Sequence, residues 1–144
     1  MYSYDCFSEK WSRLLNTPTD SCTLAVVNNL LTTIGGSPIT NKLYSLIGKG
    51  KEQKWTNEFP PMPTKRRRTI ALCSRKALVV AGGDSGDTLC TVEIMNTETL
   101  TWSIAAELPQ KLRVASATLT AGDRLYILGG VHSSWNGTHA VYTC

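Results

Sequence analysis

The sequence is poor in the residues from which chemical sites are usually built. It has two histidines and no CxxC pair, so a structural metal site is a poor reading. The cysteines Cys6, Cys22, Cys73, Cys90 and Cys144 are odd in number and widely spaced, which argues against a disulfide framework. They read as small thiols in a reducing compartment, and a cytoplasmic location is expected. No run approaches the roughly 18 apolar residues of a membrane span. Met1 to Cys6 show neither the basic start nor the apolar core of a secretory signal. Without one, the acceptor triplet Asn136-Gly137-Thr138 carries no weight. Gly-rich phosphate loops, a Ser-His-Asp set and paired catalytic carboxylates are all missing. So is any sustained 3.6-residue apolar period, which predicts very little helix. No recognition helix or set of interleaved stacking aromatics supports nucleic-acid binding.

What the chain does have is repetition. A double glycine closes a short apolar run three times, at Gly35-Gly36, Gly82-Gly83 and Gly129-Gly130, with 47 residues between successive copies. Tryptophan keeps nearly the same beat at Trp11, Trp55 and Trp102, with gaps of 44 and 47. Hydrophobic residues make up 42%, enough for an ordinary core. Between the landmarks the pattern is strand and turn. Cys22 to Val27, Asn28-Asn29 and Leu30 to Ile34 read as strand, tight turn and strand, a hairpin running into the glycines. Leu43 to Leu46 is a third strand, Gly48 to Glu52 a turn, and Lys54-Trp55-Thr56 opens a fourth that Phe59-Pro60-Pro61-Met62-Pro63 ends. The same order recurs at Thr69 to Ser74, Ala77 to Ala81, Cys90 to Met95 and Thr101 to Ile104. It begins again at Val114 to Thr120, Leu125 to Leu128 and Ala140 to Cys144.

Four short antiparallel strands per 47 residues describe a β-propeller blade. The expected organisation is the end of a blade in 1–16, complete blades in 17–63 and 64–110, and a partial blade in 111–144. Together they make an all-β arrangement of two complete blades flanked by two partial ones, expected to be an incomplete ring. One blade cannot bury its own faces, so stability must come from stacking.

These features resemble the kelch repeat, over nearly the whole chain. Tyr4-Asp5 to Trp11 and Met95-Asn96 to Trp102 keep that family's aromatic-to-tryptophan spacing, with Met95 in place of the usual tyrosine. The stretch 44–54 is one residue longer. The family pattern also sets an arginine 16 residues before the double glycine. Arg66 and Arg113 match it, and Thr19 departs from it. The tryptophan-aspartate ending of WD-type propellers is absent. The resemblance implies a non-catalytic protein-interaction module with no cofactor. Alternatives are the substrate-recognition part of a ubiquitin-ligase adaptor, or a piece of a kelch-type sugar oxidase or isomerase. A copper oxidase needs several His and Tyr ligands, and only His132, His139 and Tyr142 offer themselves.

Charge is concentrated. Of the fifteen basic residues, ten lie in 42–76, where only Glu52 and Glu58 oppose them, so that segment is +8 in a chain of net charge +4. A local positive field favours an acidic partner. The resemblance implies that the loops after each Gly-Gly and the segment Lys65-Arg66-Arg67-Arg68 share one binding face. Arg66, Arg68 and Arg113 are the candidate contacts for a partner's acidic side chains, with Ser37, Asp84, Ser85, Ser133, Ser134 and Trp135 around them. Gly35, Gly36, Gly82, Gly83, Gly129, Gly130, Trp11, Trp55 and Trp102 are expected to be structural. No nucleic acid, membrane or metal is expected, and open blade faces invite self-association.

Overall fold

The computed structural model describes residues 1–119, 124–132 and 141–143. They form thirteen strands: β1 (Tyr2–Asp5), β2 (Lys10–Arg13), β3 (Thr23–Val27), β4 (Leu30–Ile34), β5 (Leu43–Ile47), β6 (Lys54–Thr56), β7 (Ile70–Cys73), β8 (Ala77–Ala81), β9 (Val92–Asn96), β10 (Thr101–Ile104), β11 (Ser116–Leu119), β12 (Leu125–Leu128) and β13 (Val141–Thr143). They make four antiparallel sheets. Two have four strands, β3-β4-β5-β6 and β7-β8-β9-β10; they are flanked by the pair β1-β2 and the trio β11-β12-β13. The expected two full blades and two partial ones are therefore present. Among the described residues the helical content is one 3-10 turn, Gly50–Glu52.

Local chemistry explains the hairpins. Asn28 and Asn29 take φ of 46° and 65°, the left-handed pair that a two-residue hairpin needs and that Asn tolerates best after Gly. The strands on either side are rich in β-branched residues and pair from Thr23↔Ile34 to Val27↔Leu30.

The core lies between sheets rather than within them. Val27, Ile34 and Leu43 of the first full sheet pack against Ala71, Leu78, Val80 and Met95 of the second, with Phe59 and Met62 of the connection filling the seam. On the other side of the second sheet, Ile70, Ala81 and Val92 meet Leu125 and Ile127, with Leu108 and Leu112 between. Strand alternation divides the work, since Ala71 and Cys73 face one neighbour and Ile70 and Leu72 the other. Tryptophans bracket the seams from outside. Trp55 Nε1 donates to the Asn16 carbonyl at 2.8 Å, and Trp102 Nε1 to the Pro60 carbonyl at 3.1 Å. Trp11 is 70% exposed and packs on Tyr4, with ring centroids 5.0 Å apart.

The first strands of successive sheets are also tied by backbone. Arg68 N–H donates to the Ser21 carbonyl at 2.9 Å, and Val114 N–H to the Arg68 carbonyl at 3.1 Å. Ser21, Arg68 and Val114 are the same position in successive units, and all are left-handed, with φ of 52°, 53° and 55°. For a β-branched residue this conformation is strained by about 1–2 kcal/mol. Val114 is more than half exposed, so little packing opposes its removal. Val114→Gly is expected to raise unfolding stability by about 1 kcal/mol, read as a higher denaturant midpoint with unchanged slope. A lower midpoint would mean that valine contacts outweigh the strain.

The 47-residue beat conceals two length changes that cancel. Ile34 pairs with Leu43 across eight intervening residues, whereas Ala81 pairs with Val92 across ten. Ile47 pairs with Lys54 across six, whereas Asn96 pairs with Thr101 across four. The loop after the second double glycine is thus two residues longer than the loop after the first.

Candidate functional site

The segments that join successive sheets run alongside the loops after Gly-Gly. Asp20 bridges Ser37, Arg67 bridges Asp84, and Arg113 bridges Val131, each as a short antiparallel contact. This puts the basic segment and the glycine loops on one face. Asp20, Arg67 and Arg113 are therefore equivalent, and so are the residues before them, Thr19, Arg66 and Leu112. The carbonyl of Arg66 accepts from Gly36 N–H at 2.9 Å, and that of Leu112 accepts from Gly83 N–H at 2.8 Å.

Two site expectations change as a result. First, Arg113 does not stand where Arg66 does. Five residues separate the pair Leu119↔Leu125, against four for Cys73↔Leu78, so counting back from the glycines lands one residue too late. Second, Arg66 does not face the surface, because it is fully buried. Its Nη2 lies 2.8 Å from Oε1 of Glu93, itself 1% exposed, and its Nη1 donates to the Gly82 carbonyl at 2.8 Å. Burial pushes the Arg66 pKa down, and Glu93 pulls against that shift. The role is internal, bracing the glycine turn against the third strand. Thr19 does part of the same job in the preceding unit. Its hydroxyl donates to the Gly35 carbonyl at 2.8 Å, so the departure from arginine keeps the same carbonyl satisfied.

The charge available on the face comes from the next residues along. Arg67 and Arg68 are each about one-third exposed. With Arg113 they converge on one oxygen, Oδ2 of Asp84, at 3.4 Å for Arg67, 3.9 Å for Arg68 and 2.9 Å for Arg113. The other oxygen, Oδ1, accepts from Gly86 N–H at 2.9 Å, which closes the turn made by the longer loop. Burial opposes the charge on Asp84. The Gly86 amide, Arg67 and Arg113 outweigh it, and the carboxyl sits below its ordinary pKa. Three guanidinium groups around one carboxylate leave an excess of positive charge, and planar guanidinium suits carboxylate or phosphate.

The remaining predicted residues are scattered around this hub. Ser85 is exposed at the loop tip, where its N–H donates to the Asp87 carbonyl at 3.0 Å. Asp87 pairs with Lys111 beside it, at an exposed position where such pairs contribute little. Ser37 is half-buried against Asp20. Ser133, Ser134, Trp135 and His139 lie outside the described residues, and of Tyr142 only the backbone is described, pairing with Ile127. Where the first strands meet, a cleft of about 460 Å³ opens, lined by Ser21, Thr23, Arg68, Val114 and Ser116 among others. Arg68 thus belongs both to the Asp84 hub and to the mouth of the cleft. Among the described residues, no group of three His, Cys, Asp or Glu side chains is placed to hold a metal ion. No helix among them is long and apolar enough to cross a membrane.

The sequence pointed to the basic run but not to Asp84 as its organiser or to Arg67 as a contributor. The available signal was the spacing of the sheet-joining segments, since Arg67 and Asp84 are 17 residues apart, as Asp20 and Ser37 are.

Comparison with known proteins agrees with this architecture. Residues 66–109 match the Kelch motif. No curated protein sequence matches the chain. Among solved structures, that of YjhT is similar, with a TM-score of 0.75 and 18% identity over 97% of this chain and 47% of that one. The likeness is one of fold, and the chain spans about half the length of that relative.

Proposed function

We propose that this chain, with a Kelch motif in its second full blade, is a non-catalytic protein-interaction module whose partner offers acidic side chains to the Arg67–Arg68 surface. The observation that supports this reading most directly is the sharing of one Asp84 oxygen by Arg67, Arg68 and Arg113. Asp84 holds the guanidinium groups in place and cannot neutralise them all. An arriving carboxylate meets donors already oriented, which lowers the ordering entropy of binding. Arg66, buried beneath, keeps the glycine turn in position and makes no contact with the partner.

A fluorescein-labelled oligoglutamate peptide, followed by anisotropy at low and at physiological salt, tests this. The double variant Arg67→Ala, Arg68→Ala is expected to weaken its binding at least about tenfold, as loss of charge-assisted hydrogen bonds worth about 1.5–3 kcal/mol requires. Lys49→Ala with Lys51→Ala, in the β5–β6 turn, should leave affinity within a factor of about two. Equal loss in both double variants would reduce the interaction to diffuse charge, and unchanged affinity in the arginine variant would remove the reading.

A further inference from the structure

Two surfaces of the stack expose side chains at positions that its own seams bury. In β7, Ala71 and Cys73 pack against the first full sheet. The residues at the same positions of β3, Leu24 and Val26, are 44% and 59% exposed. In β8, Ala81 packs against the third sheet, while its counterpart in β12, Leu128, is 56% exposed. Beside Leu128, Ser116 and Thr118 are exposed where β7 has Ile70 and Leu72 packed. The exposed side of β3–β4 and the exposed side of β11–β12 are therefore the two halves of a seam that the chain already makes twice. Their bulk is also complementary, because Leu24 and Val26 are larger than Ala71 and Cys73, while Ser116 and Thr118 are small.

We propose that a second copy of this chain seats its β11–β12 surface on the β3–β4 surface, and reciprocally, so that two copies close one ring. The contact is head to tail, and head-to-tail contacts form a closed ring when the rotations add up to a full turn. With one unit per 47 residues, 144 residues amount to about three units, so two copies give about six, within the four to eight blades of known propellers. This inference is separate from the acidic-partner reading, because neither surface includes Arg67 or Arg68.

Size-exclusion chromatography with light scattering on the 144-residue chain is expected to give twice the mass of one chain. Val26→Lys and Leu128→Glu are each expected to weaken the dimer by at least about 100-fold, since each buries an unpaired charge, while circular dichroism stays unchanged. Mixing the two variants in equal amounts should restore dimer, because the lysine introduced into β3 of one copy then meets the glutamate introduced into β12 of the other; only a head-to-tail contact predicts this rescue. A monodisperse wild-type monomer would overturn the proposal and leave these surfaces to blades of another chain. So would a dimer indifferent to both substitutions, or an oligomer that keeps growing with concentration. Oligoglutamate affinity should be the same in wild type and both variants, which separates failure here from failure of the acidic-partner reading.

Discussion

Glu93→Ala is expected to destabilise the protein by about 3–5 kcal/mol, a fall in melting temperature on the order of 10 °C, because it leaves the fully buried Arg66 cation without its carboxylate. Arg66→Thr should cost a similar amount by stranding Glu93. The informative variant is the pair together. The first full unit has Thr19 where the second has Arg66. It has Tyr44, opposite Thr33, where the second has Glu93 opposite Val80. Both uncharged residues are accommodated there, and Thr19 satisfies the glycine carbonyl without charge. The double variant Arg66→Thr, Glu93→Tyr therefore transplants a working solution and is expected to recover more than half of the loss of either single variant. In addition, Nε of Arg66 and Oε2 of Glu93 have no hydrogen-bond partner in the protein, so the native ion pair is incompletely satisfied. Chemical denaturation of the four proteins gives the coupling energy directly. Simple additivity of the two single losses would show that Arg66 and Glu93 do not act as a pair.

Gly82→Ala should have an effect of comparable or greater size by a different route. Gly82 has φ of +57°, and a Cβ there would lie 2.2 Å from the backbone carbonyl oxygen of Leu112. Backbone cannot swing aside like a side chain. That oxygen is also held by the Gly83 N–H, so accommodation means parting the second sheet from the segment leading to the third. The expected loss is about 4 kcal/mol or more, with soluble yield falling accordingly. Gly50→Ala is the matched control. Its φ is +56°, but nothing lies within 4 Å of the added carbon, so only the left-handed strain of about 1 kcal/mol remains. Equal losses at the two sites would mean that backbone conformation alone, and not close approach, explains the glycine.

The double glycines, the Asn28-Asn29 turn and the alternation in the strands made the sheets legible in the sequence, because each is a local signal with a local cause. The fate of the basic run was not local. Lys65 to Arg68 reads as solvated charge until one knows that Glu93 waits in the core. The hint was present in β9, where Glu93 shares a strand with fully buried Met95. A lone glutamate in an apolar strand calls for a buried cation. The misplacement of Arg113 had another cause. Counting residues assumes equal loops, and the hairpin between β11 and β12 is longer by one. The same assumption hid the longer loop that carries Asp84, since a shorter turn on the opposite edge cancelled it.

The left-handed residues Arg68 and Val114 also bear on how the stack comes apart. Their N–H groups lie outside every strand, yet each is closed by a carbonyl from the preceding unit. Fraying of one sheet does not release them; only the separation of two units does. In hydrogen exchange these two amides would therefore time the parting of neighbours, while amides inside β4 or β8 would time the loss of a sheet. If the units open one after another, Arg68 and Val114 will exchange at different rates. If the stack opens as one, they will share a rate.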